Sequence, residues 1–298
     1  MTALIQDLFN GLLTGGVYAL FAVGLTLSLG ALRVMNLAHG ATFTLVAIAG
    51  VELSASLHVP FALLVVFGAL VGAVIGVLLE LVAFRPLRAG SAERNIEMPS
   101  LVASLAVLFI LQTISQQWTD ANVVNFPSSV FKSTQVDLGP LTTRSILLIM
   151  FGVAIVLMAA TWYVLMRTQA GRAVRAVAMD EDAAGMVGID AGTVKVATMA
   201  ASSALAGIAG TLIAASLGAV SFTMGDPQLL KGFSVVILGG IGSVPGALVG
   251  GLVLGLLEGL TGHVAGSAWQ PATSFVLLIV FLLVRPQGFF GRPLVDRA

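Results

Sequence analysis

The chain contains no cysteine, so it can form neither a disulfide framework nor a thiolate metal site. Charged residues are also scarce, making up 9% of 298 residues, against about 25% in typical soluble domains. The formal net charge is zero, which leaves no basic field of the kind that attracts nucleic acid. These absences argue against a disulfide-rich secreted domain, a nucleic-acid-binding protein and an ordinary soluble domain.

Recognisable catalytic signatures are missing as well. The sequence has no H-E-x-x-H zinc motif, no G-x-S-x-G nucleophile elbow and no G-x-x-x-x-G-K-[ST] phosphate loop. Its three histidines, His39, His58 and His263, fall in separate segments. We therefore expect no catalytic residues, no metal site and no cofactor. If the chain takes part in active transport, a separate subunit must hydrolyse the ATP.

Hydrophobic residues dominate the sequence, at 58% of the chain with a mean hydropathy of +1.04. Only helices or closed barrels cross a bilayer, and a crossing helix needs roughly 20 mainly apolar residues. The apolar runs here are too long for barrel strands. The sequence predicts an all-α integral membrane protein, one transmembrane domain over residues 1–298, with eight hydrophobic blocks at about 8–31, 40–57, 61–84, 99–118, 143–166, 195–219, 228–260 and 271–284.

Lysine and arginine are unevenly distributed, and positive charge in short loops marks the cytoplasmic face. The loops at about 119–142 and 220–230 carry or adjoin only Lys132, Arg144 and Lys231, so we expect these loops to face outward. We expect the loops 85–98 and 167–194 and the C-terminus to be cytoplasmic, the N-terminus to lie outside, and the protein to be multi-pass in the inner (cytoplasmic) membrane. No basic residue precedes the first block, so we expect a retained helix and not a cleaved signal peptide. The residues that define the cytoplasmic side are Arg33, Arg85, Arg88, Arg94, Arg167, Arg172, Arg175, Lys195, Arg285, Arg292 and Arg297.

The seventh block carries a break in its middle. It covers about 33 residues, which at about 1.5 Å each exceeds a hydrocarbon core of about 30 Å. The run Gly239-Gly240-Ile241-Gly242-Ser243-Val244-Pro245-Gly246 interrupts it. Three full crossings after Lys195 would leave the arginine-bearing tail outside. We therefore expect two elements here, Leu229–Leu238 and Ala247–Leu260, of which at least the first is shorter than a full span.

A similar break, Leu32 to Gly40, separates the first two blocks and suggests an internal repeat of two halves. Broken helices in corresponding places of two halves mark the transport path in many transporters. For His39, a hydrogen bond that holds the break and a contact with substrate or a gate are both open. The residues predicted to lie near the path are Asn36, His39, Gly239, Gly240, Gly242 and Ser243.

Ionisable groups at membrane depth are costly and need partners or a purpose. For Glu80 and Glu258, near the ends of their blocks, we expect pairing with a neighbouring arginine or a freed backbone amide. Glycines recur every four residues as Gly68, Gly72, Gly76, then Gly242, Gly246, Gly250, and again Gly251, Gly255, Gly259. Such ridges allow close helix packing, and a sliding surface for a transport cycle is the alternative.

The one long polar segment between blocks runs over residues 171–190. Asp180 can cap a helix, Glu181 and Asp182 suit the positive end of its dipole, and Gly188 can end it. Ala183 and Ala184 are small helix formers, and Met186 and Val187 would be its apolar contacts. The pattern predicts a short helix that docks a partner, with an ordinary interfacial helix as the alternative.

Taken together, these segments resemble the permeases of branched-chain amino acid ABC importers, in particular the shorter of the two paired permeases. Asp182-Ala183-Ala184 followed by Gly188 has the spacing of the E-A-A-x-x-x-G motif with which such permeases engage their ATPases, with Asp in place of Glu. The resemblance runs nearly the whole length and is carried by G-V-Y-A-L at 16–20, R-V-M-N-L-A-H-G at 33–40, F-R-P-L-R at 84–88, 171–189, L-G-G-I-G-S-V-P-G at 238–246 and R-P-Q-G at 285–288.

This resemblance implies a permease subunit that moves branched-chain or related hydrophobic amino acids inward by alternating access. Its implied partners are two cytoplasmic ATPases, a sister permease, a periplasmic or extracellular substrate-binding protein and membrane lipid. The implied ATPase-coupling residues are Asp180, Glu181, Asp182, Ala183, Ala184 and Gly188.

Two positions depart from the family pattern. Ala41 stands where an acidic residue is usual, and Glu181 stands where proline is common. Because urea and short-amide importers share this family, those solutes are the alternative. A passive channel for a small neutral solute is the rival outside the family.

Overall fold

The computed structural model describes residues 2–57, 59–90, 97–127, 130, 133–285 and 287–290. His58, Arg94, Lys132, Pro286, Arg292 and Arg297 lie outside the described residues. The predictions made for these six positions stay predictions.

Helices make up most of the described chain. The α-helices are α1 (Thr2–Leu32), α2 (Ala38–Ser56), α3 (Phe61–Leu79), α4 (Arg85–Gly90), α5 (Glu97–Trp118), α6 (Ser145–Arg167), α7 (Gln169–Met179), α8 (Glu181–Met186), α9 (Ala191–Leu217), α10 (Gly225–Gly239), α11 (Val244–Val264) and α12 (Gln270–Val284). A π-helical turn, Glu80–Phe84, joins α3 to α4, and a 3₁₀ turn, Ser267–Trp269, precedes α12.

Four short strands lie in the loops. They are β1 (Val124–Asn125), β2 (Gln135–Leu138), β3 (Leu141–Arg144) and β4 (Ala219–Val220). β2 and β3 form an antiparallel hairpin, and β1 pairs with β4 with Val124 opposite Val220. The hydrophobic blocks did not predict these strands.

The prediction of an all-α integral membrane protein is confirmed. Within the described residues, eight helices are long and apolar enough to cross a membrane. Each falls in one predicted block, and the seventh block divides as expected into α10 and α11. α10 has 15 residues, about 22 Å of helix, so it is shorter than a full span.

The predicted start of the first block at Leu8 is wrong, because α1 begins at Thr2. The helix continues past the apolar run into residues whose polar side chains bond to other parts of the chain. Gln6 exchanges two hydrogen bonds with the backbone of Thr142 in β3, and Asp7 contacts His263 of α11. Hydrophobicity alone therefore placed the helix start too late.

The described chain forms two compact units. The first unit comprises Met1–Thr26, Gln135–Trp162 and Leu230–Ala298, and the second comprises Leu27–Thr134 and Tyr163–Leu229. Each is assembled from segments that are distant in sequence. The internal repeat of two halves stays a prediction.

In the second unit, α3 packs against α9 along a glycine ridge. Gly68, Gly72 and Gly76 face the α9 backbone at Gly207, Ser203 and Met199 respectively. A Cβ added at Gly72 would collide with the Ser203 carbonyl. Close backbone approach is the usual means of joining helices where lipid supplies no hydrophobic drive.

A second ridge joins α11 to α1 in the first unit. Gly251, Gly255 and Gly259 lie against the α1 backbone near Ala19, Gly15 and Asp7. The predicted ridge of Gly242, Gly246 and Gly250 is only partly helical, because Gly242 precedes α11 and has a φ of 84°.

Substituting Gly72 by Ala should lower the thermal stability of the purified protein by an amount equivalent to about 1–3 kcal/mol, the usual cost of overpacking. The matched control is Gly152→Ala in α6, where an added Cβ meets nothing within 4 Å. Because alanine favours a helix over glycine, that variant should be neutral or slightly stabilised. Thermal unfolding in detergent measures both, and equal effects would contradict the ridge.

Candidate functional site

The predicted docking helix is present as α8, in the second unit. Asp180 has an extended backbone (φ −155°) and its Oδ1 accepts a hydrogen bond from the Ala183 amide at 3.0 Å. Glu181 and Asp182 lie in the first turn, where they complement the helix dipole. The predicted N-cap is confirmed.

The end of α8 is confirmed too. The Ile189 amide donates to the Ala184 carbonyl at 3.1 Å, and the Gly188 amide donates to Gly185 at 3.0 Å. Gly188 has a φ of 84°, in the left-handed region that only glycine adopts at little cost. These two hydrogen bonds form a Schellman motif, which ends α8.

An ion pair holds α8 to the start of α9. Lys195 Nζ lies 2.6 Å from both carboxylate oxygens of Glu181, and Ala184 is buried. Asp190 caps α9 through the Gly192 and Thr193 amides. Hydrogen bonds from Thr193 and Gly192 lower the pKa of Asp190, with the Thr193 hydroxyl as the largest cause. Glu181, which stands where proline is common in the family that the sequence resembles, is thus paired with Lys195.

This segment exposes three large apolar side chains among its polar ones. The side chains of Met179, Met186 and Val187 are 78%, 83% and 75% exposed, which is unusual on an otherwise polar loop. We call these three residues the coupling patch. These side chains are accessible for contact with another protein, while the ion pair with Lys195 holds α8 in place.

The first break comprises residues 33–37, between α1 and α2. Arg33 has a φ of 53° and donates from Nη2 to the Ala178 carbonyl near the C-terminal end of α7, at 3.3 Å. Ser104 of α5 accepts from the Leu37 amide at 3.2 Å and donates to the Met35 carbonyl at 2.8 Å. A neighbouring hydroxyl thus satisfies backbone groups that the break releases.

Asn36 and His39 are both fully buried in this unit. Asn36 donates from Nδ2 to the Met199 sulfur at 3.7 Å, and its Oδ1 has no hydrogen-bond partner among the described residues. The His39 amide donates to the Asn36 carbonyl at 3.4 Å. Both side chains therefore lie inside the protein at the break. This position suits a residue that lines a transport path and equally a residue that stabilises the break.

The second break, residues 240–243, lies in the first unit between α10 and α11. Gly240 and Gly242 have φ values of 95° and 84°. Ser243 Oγ accepts from the Gly246 amide at 3.0 Å and so caps α11. Gly239 and Gly246 approach so closely that a Cβ on either would collide with the other's backbone. A shared path with Asn36 and His39, which belong to the other unit, stays a prediction.

A cluster of polar side chains between four helices was not predicted. In the first unit, Lys231 Nζ lies 2.8 Å from both Glu258 Oε2 and the Tyr18 hydroxyl, and the Tyr18 hydroxyl donates to Glu258 Oε2 at 2.8 Å. Ser274 Oγ donates to Glu258 Oε1 at 3.1 Å. We call these four residues the buried clasp, and they join α1, α10, α11 and α12.

The buried clasp contains an ion pair that is largely shielded from solvent. The side chains of Lys231 and Glu258 are 15% and 6% exposed, so each charge depends on the other for solvation. Lys231 also lies 4.3 Å from the centre of the Tyr18 ring, a cation–π contact. The sequence pattern assigns Lys231 to an outer loop and gives Glu258 an arginine or an amide as partner. The loop assignment is wrong, because α10 begins at Gly225 and Lys231 lies within it. The expected partner of Glu258 is wrong too, because its carboxylate pairs with a lysine.

The matching prediction for Glu80 is confirmed. Its buried carboxylate pairs with Arg88, eight residues along the same continuous helical segment. The π-helical turn at Glu80–Phe84 lies between them. Among the described residues, no group of three or more His, Asp or Glu is arranged to hold a metal ion.

The fold and these sites define a multi-pass helical membrane protein with two broken helices and a capped loop helix between spans. The family described as "Branched-chain amino acid transport system / permease component" matches residues 7–285. The chain belongs to this family of permeases.

The relatives agree with that assignment. The chain is 31% identical to the high-affinity branched-chain amino acid transport system permease protein BraD of Pseudomonas aeruginosa, covering 98% of this chain and 97% of that one. It is 31% identical to the permease protein LivH of Escherichia coli K12 with the same coverage. The ribose import permease protein RbsC of E. coli K12 is 29% identical over 82% of this chain and 75% of its own. No solved structure matches.

These homologues are permease subunits of transporters and not enzymes. The recognition made from the sequence motifs is therefore confirmed at the level of the family. The individual roles of Asp180 to Gly188, and of the residues at the two breaks, remain predictions.

Replacing Lys231 by Met should destabilise the protein by about 3–5 kcal/mol, because Glu258 is left charged and buried. The control is Lys195→Met, whose partner Glu181 is 52% exposed and can be solvated by water. That variant should lose only about 0–1 kcal/mol. Thermal unfolding in detergent compares the two, and equal losses would refute the view that the clasp is the more tightly coupled pair.

Proposed function

We propose that this chain is the transmembrane permease subunit of an ATP-driven ABC importer that moves branched-chain or related hydrophobic amino acids into the cytoplasm by alternating access. Its partners are two cytoplasmic ATPase subunits, a sister permease and a periplasmic or extracellular substrate-binding protein. It lies in the inner (cytoplasmic) membrane, and its partners' ATPase domains hydrolyse the ATP.

The coupling patch carries this proposal. Beside the short helix α8, which is capped at both ends, the side chains of Met179 at the end of α7, Met186 and Val187 are exposed. The ion pair between Glu181 and Lys195 holds α8 to α9. A loop that only connects two spans would not require a capped helix or an ion pair to α9. A helix that transmits the movement of a partner to α9 would require both.

Contacts inside each unit support the proposed sidedness of the chain. Arg33 bonds to α7, so the first break shares a face with the basic loop 167–194, which the positive-inside rule places in the cytoplasm. β1 pairs with β4, so the loop after α5 and the loop after α9 are adjacent. In the proposed topology both lie on the outer face.

The short helix α10 supports a cytoplasmic position for the C-terminal tail. The amides of Phe289 and Phe290 donate to the carbonyls of Leu238 and Gly239, at the end of α10. The second break and the tail therefore share a face. If α10 carries the chain inward despite its length, α11 returns outward and α12 ends in the cytoplasm, as the arginines require.

In the proposed cycle, closure of the ATPases moves the segment Asp180–Gly188 and, through Glu181 and Lys195, the start of α9. The glycine ridges let the packed helices shift as rigid bodies, and a central path near Asn36, His39, Gly239, Gly240, Gly242 and Ser243 opens alternately to either side.

Amino acids are the favoured solutes because the permeases BraD and LivH belong to branched-chain amino acid transport systems. Similarity also extends to a ribose import permease, so solute choice within such permeases is expected to lie largely with the binding protein. Urea or short amides remain the alternative solutes, and a passive small-solute channel is the rival mechanism.

Replacing Met186 or Val187 by Asp should reduce recovery of the ATPases with the purified permease at least about tenfold, since an apolar contact that must bury a new carboxylate loses more than about 1.4 kcal/mol. The tagged chain is purified in mild detergent from its native cell, and the co-purifying subunits are quantified.

The control for this experiment is Val123→Asp. Val123 is 60% exposed and lies in the loop after α5, so the same change in charge should leave ATPase recovery intact. Normal recovery with both patch variants would contradict the docking role of α8.

Single cysteines should report the proposed topology, because the natural chain has none. In intact cells, a membrane-impermeant maleimide should label Val123→Cys and should label Met186→Cys and Phe290→Cys only after permeabilisation. All three side chains are exposed. Labelling of Phe290→Cys from outside would overturn the inward course of α10.

A further inference from the structure

A cavity of about 290 Å³ lies in the first unit beside the buried clasp. This volume is close to the lower end of the range of about 300–1,000 Å³ typical of small-molecule pockets. One face of α1 lines it through Asp7, Asn10, Thr14 and Tyr18, at helical spacing. From Asp7 to Tyr18 this face extends about 16 Å along the helix. We call it the outer cavity, because the proposed topology places the start of α1 outside.

The lining has a clear chemical character. It contains two acidic residues, Asp7 and Glu258, whose partners His263 and Lys231 are not among the lining residues. Four glycines supply the closest backbone, and amide and hydroxyl side chains supply the rest. No aliphatic side chain of Leu, Ile or Val is among the lining residues. Such a cavity suits a cation with several N–H donors and offers no aliphatic contact that would select one hydrocarbon side chain over another.

The two carboxylates differ in depth. The Asp7 side chain is 44% exposed, which places it at the open end, whereas the Glu258 side chain is 6% exposed. Glu258 already holds one primary ammonium group, that of Lys231, at 2.8 Å. The inner end of the outer cavity is therefore built around a carboxylate whose geometry suits an ammonium group.

We propose that the outer cavity receives the primary ammonium group of an incoming amino acid, with Asp7 at the entrance and Glu258 at the inner end as its anionic partners. The bound ammonium competes with Lys231 for Glu258 and so links occupancy of the cavity to the position of α10. The inference rests on the proposed function for the identity of the solute. It adds that the permease recognises the group common to all amino acids and leaves side-chain selection to the binding protein.

A cysteine at Thr14, inside the cavity, tests the proposal. The complete transporter carrying Thr14→Cys is reconstituted in phosphatidylcholine vesicles, and its rate of labelling by a thiol reagent is measured. Leucine and 3-methylbutylamine, at several times their dissociation constants, should slow labelling at least about fivefold. The desamino acid 4-methylpentanoate should not slow it. Absence of protection by leucine, or equal protection by 4-methylpentanoate, would overturn the proposal.

Two carboxylate variants provide a matched comparison in the Thr14→Cys background. Asp7→Asn should abolish most of the protection by leucine. Asp137→Asn, an exposed carboxylate on β2 that is not among the cavity's lining residues, should preserve it. Because Asp7 is partly exposed, its variant is expected to fold, and thermal unfolding checks this. Equal protection in both variants would overturn the role of Asp7.

A lipid headgroup is another source of a primary ammonium group. The labelling is therefore repeated with phosphatidylethanolamine in the vesicles. Protection by leucine in both lipids supports the proposal, and protection by phosphatidylethanolamine with none by leucine would assign the cavity to lipid and overturn it.

ATP-driven leucine uptake, measured on the Thr14→Cys vesicles and on unsubstituted ones, separates the two claims. Uptake without protection would overturn the cavity assignment alone. Protection without ATP-driven uptake in the unsubstituted transporter would support the cavity and count against the importer.

Discussion

Hydrocarbon offers no hydrogen-bond partner, so each polar group within the spans of this protein must find one inside the protein. The first break shows how this requirement is met. Ser104 bonds to two backbone groups within the break, and Arg33 donates to a carbonyl of α7. The buried clasp meets the same requirement for Lys231 and Glu258. At the first break and at the clasp, neighbouring helices therefore supply the partners, and these places are the candidates for transport chemistry.

Close backbone packing makes those partners available. Glycine ridges bring α3 onto α9 and α11 onto α1 with no side chain between them. In the first unit, this approach places Glu258 beside Tyr18. In the second unit, it gives α9 a firm contact along its length, while its N-terminal end is tied to α8 by Lys195 and Glu181. In the proposed function, a movement of α8 therefore acts on a packed helix and not on a loose loop.

Local signals were enough to predict much of this from sequence. Apolar runs of sufficient length identified the spans, and Asp180 and Gly188 marked the two ends of α8, because capping depends on residues a few positions apart. The clasp was missed because Tyr18 and Glu258 are 240 positions apart, and only the fold brings them together. The start of α1 was missed since Gln6 and Asp7 bond to distant residues that no hydrophobicity pattern reveals. Whether the two breaks share a path depends on an arrangement that local patterns do not encode.

The most direct test of the account is solute accumulation by the purified permease with its co-purified ATPases, sister permease and binding protein in sealed proteoliposomes. Radiolabelled leucine inside the vesicles is measured over time with ATP supplied on the ATPase side. The account predicts accumulation above the external concentration, dependent on ATP hydrolysis and on the binding protein. Equilibration of leucine to equal concentrations, at the same rate with and without ATP, would contradict it and identify a passive channel.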